Sequence, residues 1–269
     1  MTLPTAPCLV AASAPEADPW VELRRHTPAR IALGRSGSGL PTAEALRFAA
    51  DHAQARDAVH VPLDAAAMCA RLQAGGFATL QVSSRAGTRA EFLRRPDLGR
   101  RLAPACVQAL LARAQALGQA QPQPPFDLAV VLGDGLSALA VHGHGLPLIR
   151  ALQDALAGAL RWAPVVLATQ ARVALADEIG ALLGARTVLM LIGERPGLSS
   201  PDSLGAYLTY APEVGRVDAQ RNCVSNIRPA GLPPVPAAQR IAWLLHQSLR
   251  LRLSGVALKD ESGAHLLGP

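Results

Sequence analysis

The sequence predicts an α/β protein in which a Rossmann-like parallel-sheet domain follows a mainly helical N-terminal region. After residue 125, short apolar runs alternate with amphipathic stretches, in the order DLAVVLGDG, LIRALQDALAGAL, PVVLATQ, VALADEIGALLG and TVLMLIGE. Such alternation of strand and helix implies parallel strands joined by right-handed crossovers. Before residue 119, the pattern is mostly helical and is interrupted by glycine and proline.

Four regions follow along the chain. Residues 1–28 are rich in proline and alanine and lack periodicity, which predicts a flexible arm. Residues 29–118 hold the helical segments TAEALRFAADHAQARDAVH and LDAAAMCARLQAGG and the strand-like FATLQVS. The polar, proline-rich run QAQPQPP, residues 119–125, predicts a linker. Residues 126–269 form the Rossmann-like domain, which ends with NCVSNI and the helix PAAQRIAWLLHQSLRLRLSG.

Composition narrows the class of protein. The chain has 269 residues, half of them apolar, which is enough for a substantial core. Its apolar runs are far shorter than the roughly 20 residues of a membrane helix, so no membrane association is expected. No basic residue precedes the first apolar patch, and the four cysteines form no C-x-x-C pair, so reduced thiols in a cytoplasmic protein are predicted.

The positive charge raises the question of nucleic acid binding. The formal net charge is +6, but arginines are spread along the whole chain, Lys259 is the only lysine, and aromatic residues make up only 3%. Single-strand binders combine a basic groove with aromatic side chains on which bases stack. We therefore expect no nucleic acid partner.

A charged pair follows the most apolar strand. TVLMLI stops abruptly at Gly193, and Glu194 and Arg195 come next. Ligands of open α/β sheets bind beyond the carboxyl ends of the strands, so both side chains are candidates for a binding site. From position alone, a solvated turn is the favoured interpretation, since most charged loop residues are only solvated.

Other candidate sites have simpler interpretations. Gly133 and Gly135 match G-x-G-x-x-A, but no acidic residue ends the next strand, which favours a structural turn over a dinucleotide site. His142 and His144 have no nearby carboxylate or cysteine to complete a metal shell, so no metal site is predicted. The adjacent pair Asp177 and Glu178 is expected at the surface, because neighbours on a helix do not face one another. By pattern alone, Val173 and Cys223 would be core residues.

Several segments change those interpretations by their resemblance to a known family. They are RIALGRSGSGLPT, RFAADHAQARDAV, LRRPDLGRRL, VVLGDGLSALAV, RVALADEIG, LIGERPGLSSPDSLGAYLTY, RNCVSNIRPAGL and SGVALKD. In the same order, and over residues 29 to 260, the chain resembles the small subunit of ethanolamine ammonia-lyase.

The resemblance implies a function that composition could not reveal. That enzyme uses adenosylcobalamin to convert ethanolamine to acetaldehyde and ammonia. Its large subunit carries the radical chemistry, while its small subunit is Rossmann-like and covers part of the cobalamin. The cobalamin contacts of the family fall on Val173, Glu194 and Cys223, with Glu194 accepting a hydrogen bond from a corrin amide and Cys223 making a packing or backbone contact. No catalytic residue and no cobalt ligand is expected from this chain, which would be a cofactor-binding subunit in a hetero-oligomer. Relatives can be housed in a bacterial microcompartment, and the sequence leaves that question open.

Two other functions stay open at this point. One is a self-sufficient Rossmann-type enzyme that binds a nucleotide at Gly133 and Gly135. The other is a scaffold with no small-molecule ligand.

Overall fold

The computed structural model describes residues 19–27, 29–118 and 126–265. The predicted linker, residues 119–125, and residues 1–18 of the predicted arm lie outside this range. The chain divides into two compact units, Met1–Asp51 and His52–Pro269. The four regions inferred from the sequence stay a prediction.

The first unit contains a 3-10 helix, Pro19–His26, and the beginning of α1 (Thr42–His60). Arg30 forms an ion pair with Asp51, and its guanidinium lies 5.1 Å from the centroid of the Phe48 ring. The helix expected over residues 42–60 is confirmed. Leu46 on this helix is 66% exposed.

The helices predicted over LDAAAMCARLQAGG, LIRALQDALAGAL, VALADEIGALLG and PAAQRIAWLLHQSLRLRLSG agree with the structure to within a few residues. The second unit contains the remaining α-helices. They are α2 (Ala65–Ala74), α3 (Arg89–Arg94), α4 (Pro104–Gly118), α5 (Ala138–Ala140), α6 (Leu146–Leu156), α7 (Leu175–Leu182) and α8 (Pro234–Leu251). The Asp64 carboxylate caps α2 by accepting a 2.9 Å hydrogen bond from the Ala67 N–H. The Thr88 hydroxyl caps α3 by accepting a hydrogen bond from the Glu91 N–H. Within the described ranges, no helix is both long and apolar enough to cross a bilayer.

Six strands form a single sheet. They are β1 (Thr79–Ser83), β2 (Phe126–Gly133), β3 (Val165–Thr169), β4 (Ala185–Gly193), β5 (Leu204–Tyr210) and β6 (Arg221–Ile227). The spatial order is β1-β3-β2-β4-β5-β6. The α/β class is therefore confirmed, and FATLQVS contributes a strand to this sheet.

The sheet is mixed, which corrects the expectation of a parallel sheet. β1, β3, β2 and β4 run parallel, whereas β5 is antiparallel to both β4 and β6. Parallel neighbours need a crossover of about a dozen residues or more, usually a helix. The connections 194–203 and 211–220 contain no α-helix, so the chain turns back along the edge of the sheet.

Alternate residues of each strand face two separate apolar cores. Leu189 and Leu191 of β4 pack with α2, α6 and α8 on one side, and Val188, Met190 and Ile192 pack with α4 and α7 on the other. Successive side chains of a strand point to opposite faces, so the long apolar run of β4 is explained by burial on both sides.

The carboxyl ends of β2 and β4 are joined by a close backbone approach. Gly135 has φ +53°, and a Cβ atom added there would lie 2.2 Å from the Gly193 carbonyl oxygen. That carbonyl accepts a 2.9 Å hydrogen bond from the Leu136 N–H. A Cβ atom on Gly193 would in turn lie 2.0 Å from the Ser137 carbonyl oxygen. Both positions therefore require glycine.

We predict that Gly135→Ala lowers the free energy of unfolding by about 2 to 5 kcal/mol, because it combines a left-handed backbone with a steric overlap. Gly158 is the matched control, since it has φ +75° and nothing lies within 4 Å of an added Cβ. Gly158→Ala should cost only about 1 to 2 kcal/mol. Urea denaturation followed by circular dichroism measures both, and equal losses would contradict the close approach.

Candidate functional site

Three polar residues follow β2, β3 and β4 at one edge of the sheet: Asp134, Gln170 and Glu194. Asp134 is buried, and its carboxylate accepts 2.8 Å hydrogen bonds from the backbone N–H groups of Gln170 and Ala171. Burial raises the pKa of Asp134, although these hydrogen bonds oppose the shift. Asp134 thus ties the ends of β2 and β3 together, which supports the structural interpretation of the glycine turn.

The glycines of that turn pack against the protein itself. A Cβ atom on Gly133 would lie 2.4 Å from the Met190 side chain. A Cβ atom on Gly135 would likewise overlap the backbone of Gly193. In a dinucleotide fingerprint, the glycines instead let the backbone approach a pyrophosphate. We find no support here for a nucleotide at Gly133 and Gly135.

Glu194 is held at the end of β4 by the two strands that follow it. Its N–H donates a 2.9 Å hydrogen bond to the Ser203 carbonyl. Its Oε2 accepts hydrogen bonds from the Ser203 hydroxyl and from the Asn226 N–H, the latter at 3.3 Å. Oε1 accepts none among the described residues, and it lies 2.8 Å from where a Cβ atom of Gly205 would be. One carboxylate oxygen is therefore left available on a side chain whose position is fixed.

Cys223 lies in β6 directly opposite Tyr207 of β5. The Cys223 thiol lies close enough to the Tyr207 phenol to affect its pKa, and the residue Cys223 is exposed. Burial, then the charge of Cys223, raise the pKa of Tyr207, so its hydroxyl is protonated at neutral pH. Burial of the sulfur and the nearby Glu194 also raise the pKa of Cys223. A protonated thiol is a poor nucleophile, which indicates a contact rather than a reactive group.

Val173 lies two residues before α7 and is partly buried against the same apolar cluster as Tyr207. It also lines a cavity of about 550 Å³. Glu194 and Cys223 both lie near enough to Tyr207 to affect its pKa, but neither lines that cavity. The structure thus brings Glu194 and Cys223 together around Tyr207, with Val173 beside the same cluster.

Tyr207 is the residue of this surface that sequence reasoning missed. The signal for it is the alternation in LGAYLTY, because Leu204, Ala206 and Leu208 all point into one core. Tyr207 must then lie on the opposite face, with Gly205 as its neighbour on that face.

The expectation that Asp177 and Glu178 lie at the surface is wrong. Both are buried, and each reaches a separate arginine. Asp177 contacts Arg221 Nη1 at 2.6 Å, and the Glu178 carboxylate is bidentate with Arg101 at 3.0 and 3.1 Å. Burial alone would raise the pKa of Glu178, but hydrogen bonds from Arg101 and the Leu102 N–H outweigh it and lower that pKa. The ion pair of Asp177 with Arg221 joins α7 to the first residue of β6. It therefore helps to fix the position of Cys223, which is in β6, relative to Val173, which comes just before α7.

The side chains of His142 and His144 contact different residues. His142 and His144 lie in a single π-helical turn, Val141–Gly145. His142 Nε2 accepts a 3.1 Å hydrogen bond from the Asp64 N–H, whereas His144 Nε2 lies 3.2 Å from Asp202. In the part of the chain that the structure describes, no group of three or more His, Cys, Asp or Glu side chains could hold a metal ion.

Comparison with known proteins identifies similar chains. A family model described as ethanolamine ammonia-lyase light chain matches residues 17–259. A protein of Pseudomonas syringae pv. tomato named ethanolamine ammonia-lyase small subunit is 53% identical over 257 residues, which cover 95% of this chain and 88% of the relative. Proteins of the same name from Bradyrhizobium diazoefficiens and Ralstonia nicotianae are each 54% identical, covering 91% and 93% of this chain and 91% of both relatives.

We predict that Arg221→Met lowers the free energy of unfolding by about 3 to 5 kcal/mol at pH 7, because it leaves Asp177 buried without its counter-charge. Burial already raises the pKa of Asp177 above its ordinary value of 3.8, and the Arg221 hydrogen bond opposes that shift. Without Arg221, the pKa rises further. A carboxyl group with a raised pKa in the folded state destabilises the fold as pH increases, so the loss should shrink between pH 7 and pH 5.

The control for this prediction is the double variant Arg221→Met/Asp177→Leu, which removes both charges. It should recover most of the lost stability in the same denaturation experiment. If the double variant is no more stable than the single one, the arginine acts through packing rather than through its charge.

Proposed function

The chain belongs to the ethanolamine ammonia-lyase light-chain family, and from this premise we propose that it holds adenosylcobalamin on the sheet face around Tyr207. The family resemblance drawn from the sequence is confirmed by the comparisons, as is the assignment to an ethanolamine ammonia-lyase, a carbon–nitrogen lyase. The role of this subunit in cobalamin binding is the part that we propose.

The observation that carries the proposal is the free carboxylate oxygen of Glu194. Oε1 has no hydrogen-bond partner within the described residues, while Oε2 is fixed by Ser203 and Asn226. The edge of a corrin ring carries primary amides, which are hydrogen-bond donors. A fixed carboxylate oxygen is therefore a complementary acceptor, and a hydrogen bond to a charged group is among the stronger ones.

The neighbouring residues suit the same ligand. Cys223 is exposed next to Tyr207, and Val173 presents a partly exposed branched side chain beside the same apolar cluster. Gly205 lacks a side chain, so the Glu194 carboxylate can lie directly over β5. Apolar surface with one fixed polar group is typical of sites for large organic cofactors.

The residues of this chain then bind and orient the cofactor. Glu194 fixes the corrin edge, Tyr207 contributes a neutral hydroxyl, and Val173 and Cys223 provide contact surface. When bound, adenosylcobalamin supplies the radical that initiates the reaction of ethanolamine. We assign the catalytic residues to a large subunit, with which this chain forms a hetero-oligomer.

The wider organisation is also proposed. The four parallel strands β1 to β4 support a Rossmann-like description of the sheet, and we describe residues 29–118, which also supply β1, as a mainly helical region. The described cysteines Cys69, Cys106 and Cys223 are free thiols, which suits a reducing cytoplasm. Enclosure in a bacterial microcompartment is compatible with this placement.

The division of labour is tested by purifying this chain, the large subunit and their complex, and by measuring cobalamin-dependent acetaldehyde formation. We predict no activity from this chain alone and full activity from the complex, with an interface of the obligate class, about 2,000 Å² or more. Acetaldehyde formation by this chain alone would refute the assignment of the chemistry to the partner.

The cobalamin contact is tested by Glu194→Gln in the two-subunit complex. The substitution removes the charge that strengthens the hydrogen bond, so we predict about a tenfold weaker retention of cobalamin, measured by corrin absorbance after equilibrium dialysis. Glu213→Gln is the matched control, because Glu213 is 67% exposed and pairs with Arg216. If Glu194→Gln and the wild type bind cobalamin with equal affinity, Glu194 is a solvated turn residue and does not contact the cofactor.

A further inference from the structure

Four arginines converge near the carboxyl edge of the parallel strands: Arg89, Arg100, Arg172 and Arg195. Burial, followed by the charges of Arg89, Arg100 and Arg195, lowers the pKa of Arg172. The nearest compensating carboxylate is Asp134, which lies 3.4 Å from Arg89. Like charges that are gathered without enough counter-charge destabilise the folded chain, so such clusters are frequently ligand sites.

The central arginine of this cluster is held in place. The Arg172 guanidinium lies 4.2 Å from the centroid of the Phe92 ring, and its Nη2 donates a 3.3 Å hydrogen bond to the Phe92 carbonyl. Gly99 makes room for it, since a Cβ atom there would lie 2.8 Å from Arg172 Cγ. Arg89 approaches the same ring at 4.8 Å. One aromatic ring thus contacts two cations.

Some arginine N–H groups of this cluster have no hydrogen-bond acceptor among the described residues. Arg172 Nε and Arg89 Nη2 are buried and have no hydrogen-bond partner among the described residues. Arg100 and Arg195 are exposed, and over the same range their side chains make no ion pair or hydrogen bond. Buried donors without partners are rare in folded proteins and call for an explanation.

The cavity of about 550 Å³ beside Val173 adjoins this cluster. Five arginines and one acidic residue line the cavity, namely Arg100, Arg101, Arg172, Arg216, Arg221 and Asp218. Arg101 and Arg221 are already committed to Glu178 and Asp177. Arg100 and Arg172 have no carboxylate of their own in the described chain, so they are the members available to an external anion.

We propose that Arg100 and Arg172 bind the phosphodiester of the nucleotide tail of cobalamin. The inference rests on the proposed function. The peripheral amides of the corrin are neutral, whereas the nucleotide tail carries a phosphodiester anion, for which guanidinium groups are well suited. Arg172 immediately precedes Val173 and Arg195 immediately follows Glu194, so a ligand that contacts Val173 and Glu194 passes next to the cluster.

The test compares two corrinoids on the two-subunit complex. Cyanocobalamin contains the nucleotide tail, and dicyanocobinamide lacks it together with its phosphodiester. Binding of each is measured by equilibrium dialysis and corrin absorbance for the wild type, Arg100→Ala, Arg172→Ala and Arg172→Lys. Arg94→Ala is the charge-matched control, because Arg94 is exposed on α3 and bonds only to the carbonyl of Ala90 in its own helix.

We expect Arg100→Ala and Arg172→Ala each to weaken cyanocobalamin binding about tenfold and to leave dicyanocobinamide within about twofold of the wild type. Arg172→Lys should lie between, because it keeps the charge and loses the planar fork. Arg94→Ala should match the wild type for both ligands. Arg100 is exposed, and its side chain has no hydrogen-bond or ion-pair partner to lose among the described residues, so its variant remains informative even if Arg172→Ala does not fold.

Three results would overturn the proposal while leaving cobalamin binding by this chain intact. The first is unchanged cyanocobalamin affinity in Arg100→Ala and in a folded Arg172→Ala. The second is an equal loss for both corrinoids, which would indicate support of the binding face rather than a phosphodiester contact. The third is impaired subunit assembly with unchanged preference between the corrinoids, which would assign the arginines to the protein partner. Failure of the proposed function itself is distinct, since neither corrinoid would then depend on this subunit.

Discussion

The close approach of Gly135 to Gly193 is the constraint on which the placement of the site depends. The two backbones meet where any side chain would overlap a carbonyl oxygen, and the Leu136 N–H donates a hydrogen bond to the same carbonyl. Because Glu194 follows Gly193 directly, this contact fixes where β4 ends and where the carboxylate begins. Ser203 and Asn226 then orient that carboxylate from the neighbouring strands. This backbone contact fixes where the Glu194 side chain begins, and the two hydrogen bonds to Oε2 fix its orientation.

The antiparallel strands at the edge produce the surface around Tyr207. β2, β3 and β4 are covered on both faces by helices, and their side chains are almost entirely buried. β5 and β6 are joined without an α-helix; they extend the sheet at its edge and carry Tyr207 and Cys223. The buried pair of Asp177 and Arg221 anchors that extension to α7. The same chain reversal that makes the sheet mixed thus exposes the residues proposed to contact the cofactor.

Local pattern was sufficient for much of the fold, because strand length, helical periodicity and glycine turns are encoded within short windows. The local pattern predicted α1, the succession of β2, β3 and β4 along the chain, and the position of Glu194 directly after a buried strand. It failed for Asp177 and Glu178, whose partners Arg221 and Arg101 lie far away in sequence. The direction of β5 depends on the connection from β4 to β5. The absence of a helical pattern in residues 194–203 was the signal in the sequence for an antiparallel strand. The proposed roles of Val173 and Cys223 came from family resemblance and not from pattern.

The most direct measurement is an experimental structure of the two-subunit complex with cobalamin bound. We predict that a corrin amide nitrogen lies about 3 Å from Glu194 Oε1, with the ring against the face that carries Tyr207 and Cys223. A corrin ring on the opposite face of the sheet, against α6 and α8, would contradict the placement. So would a ring on the predicted face whose nearest atom lies too far from Glu194 for a hydrogen bond.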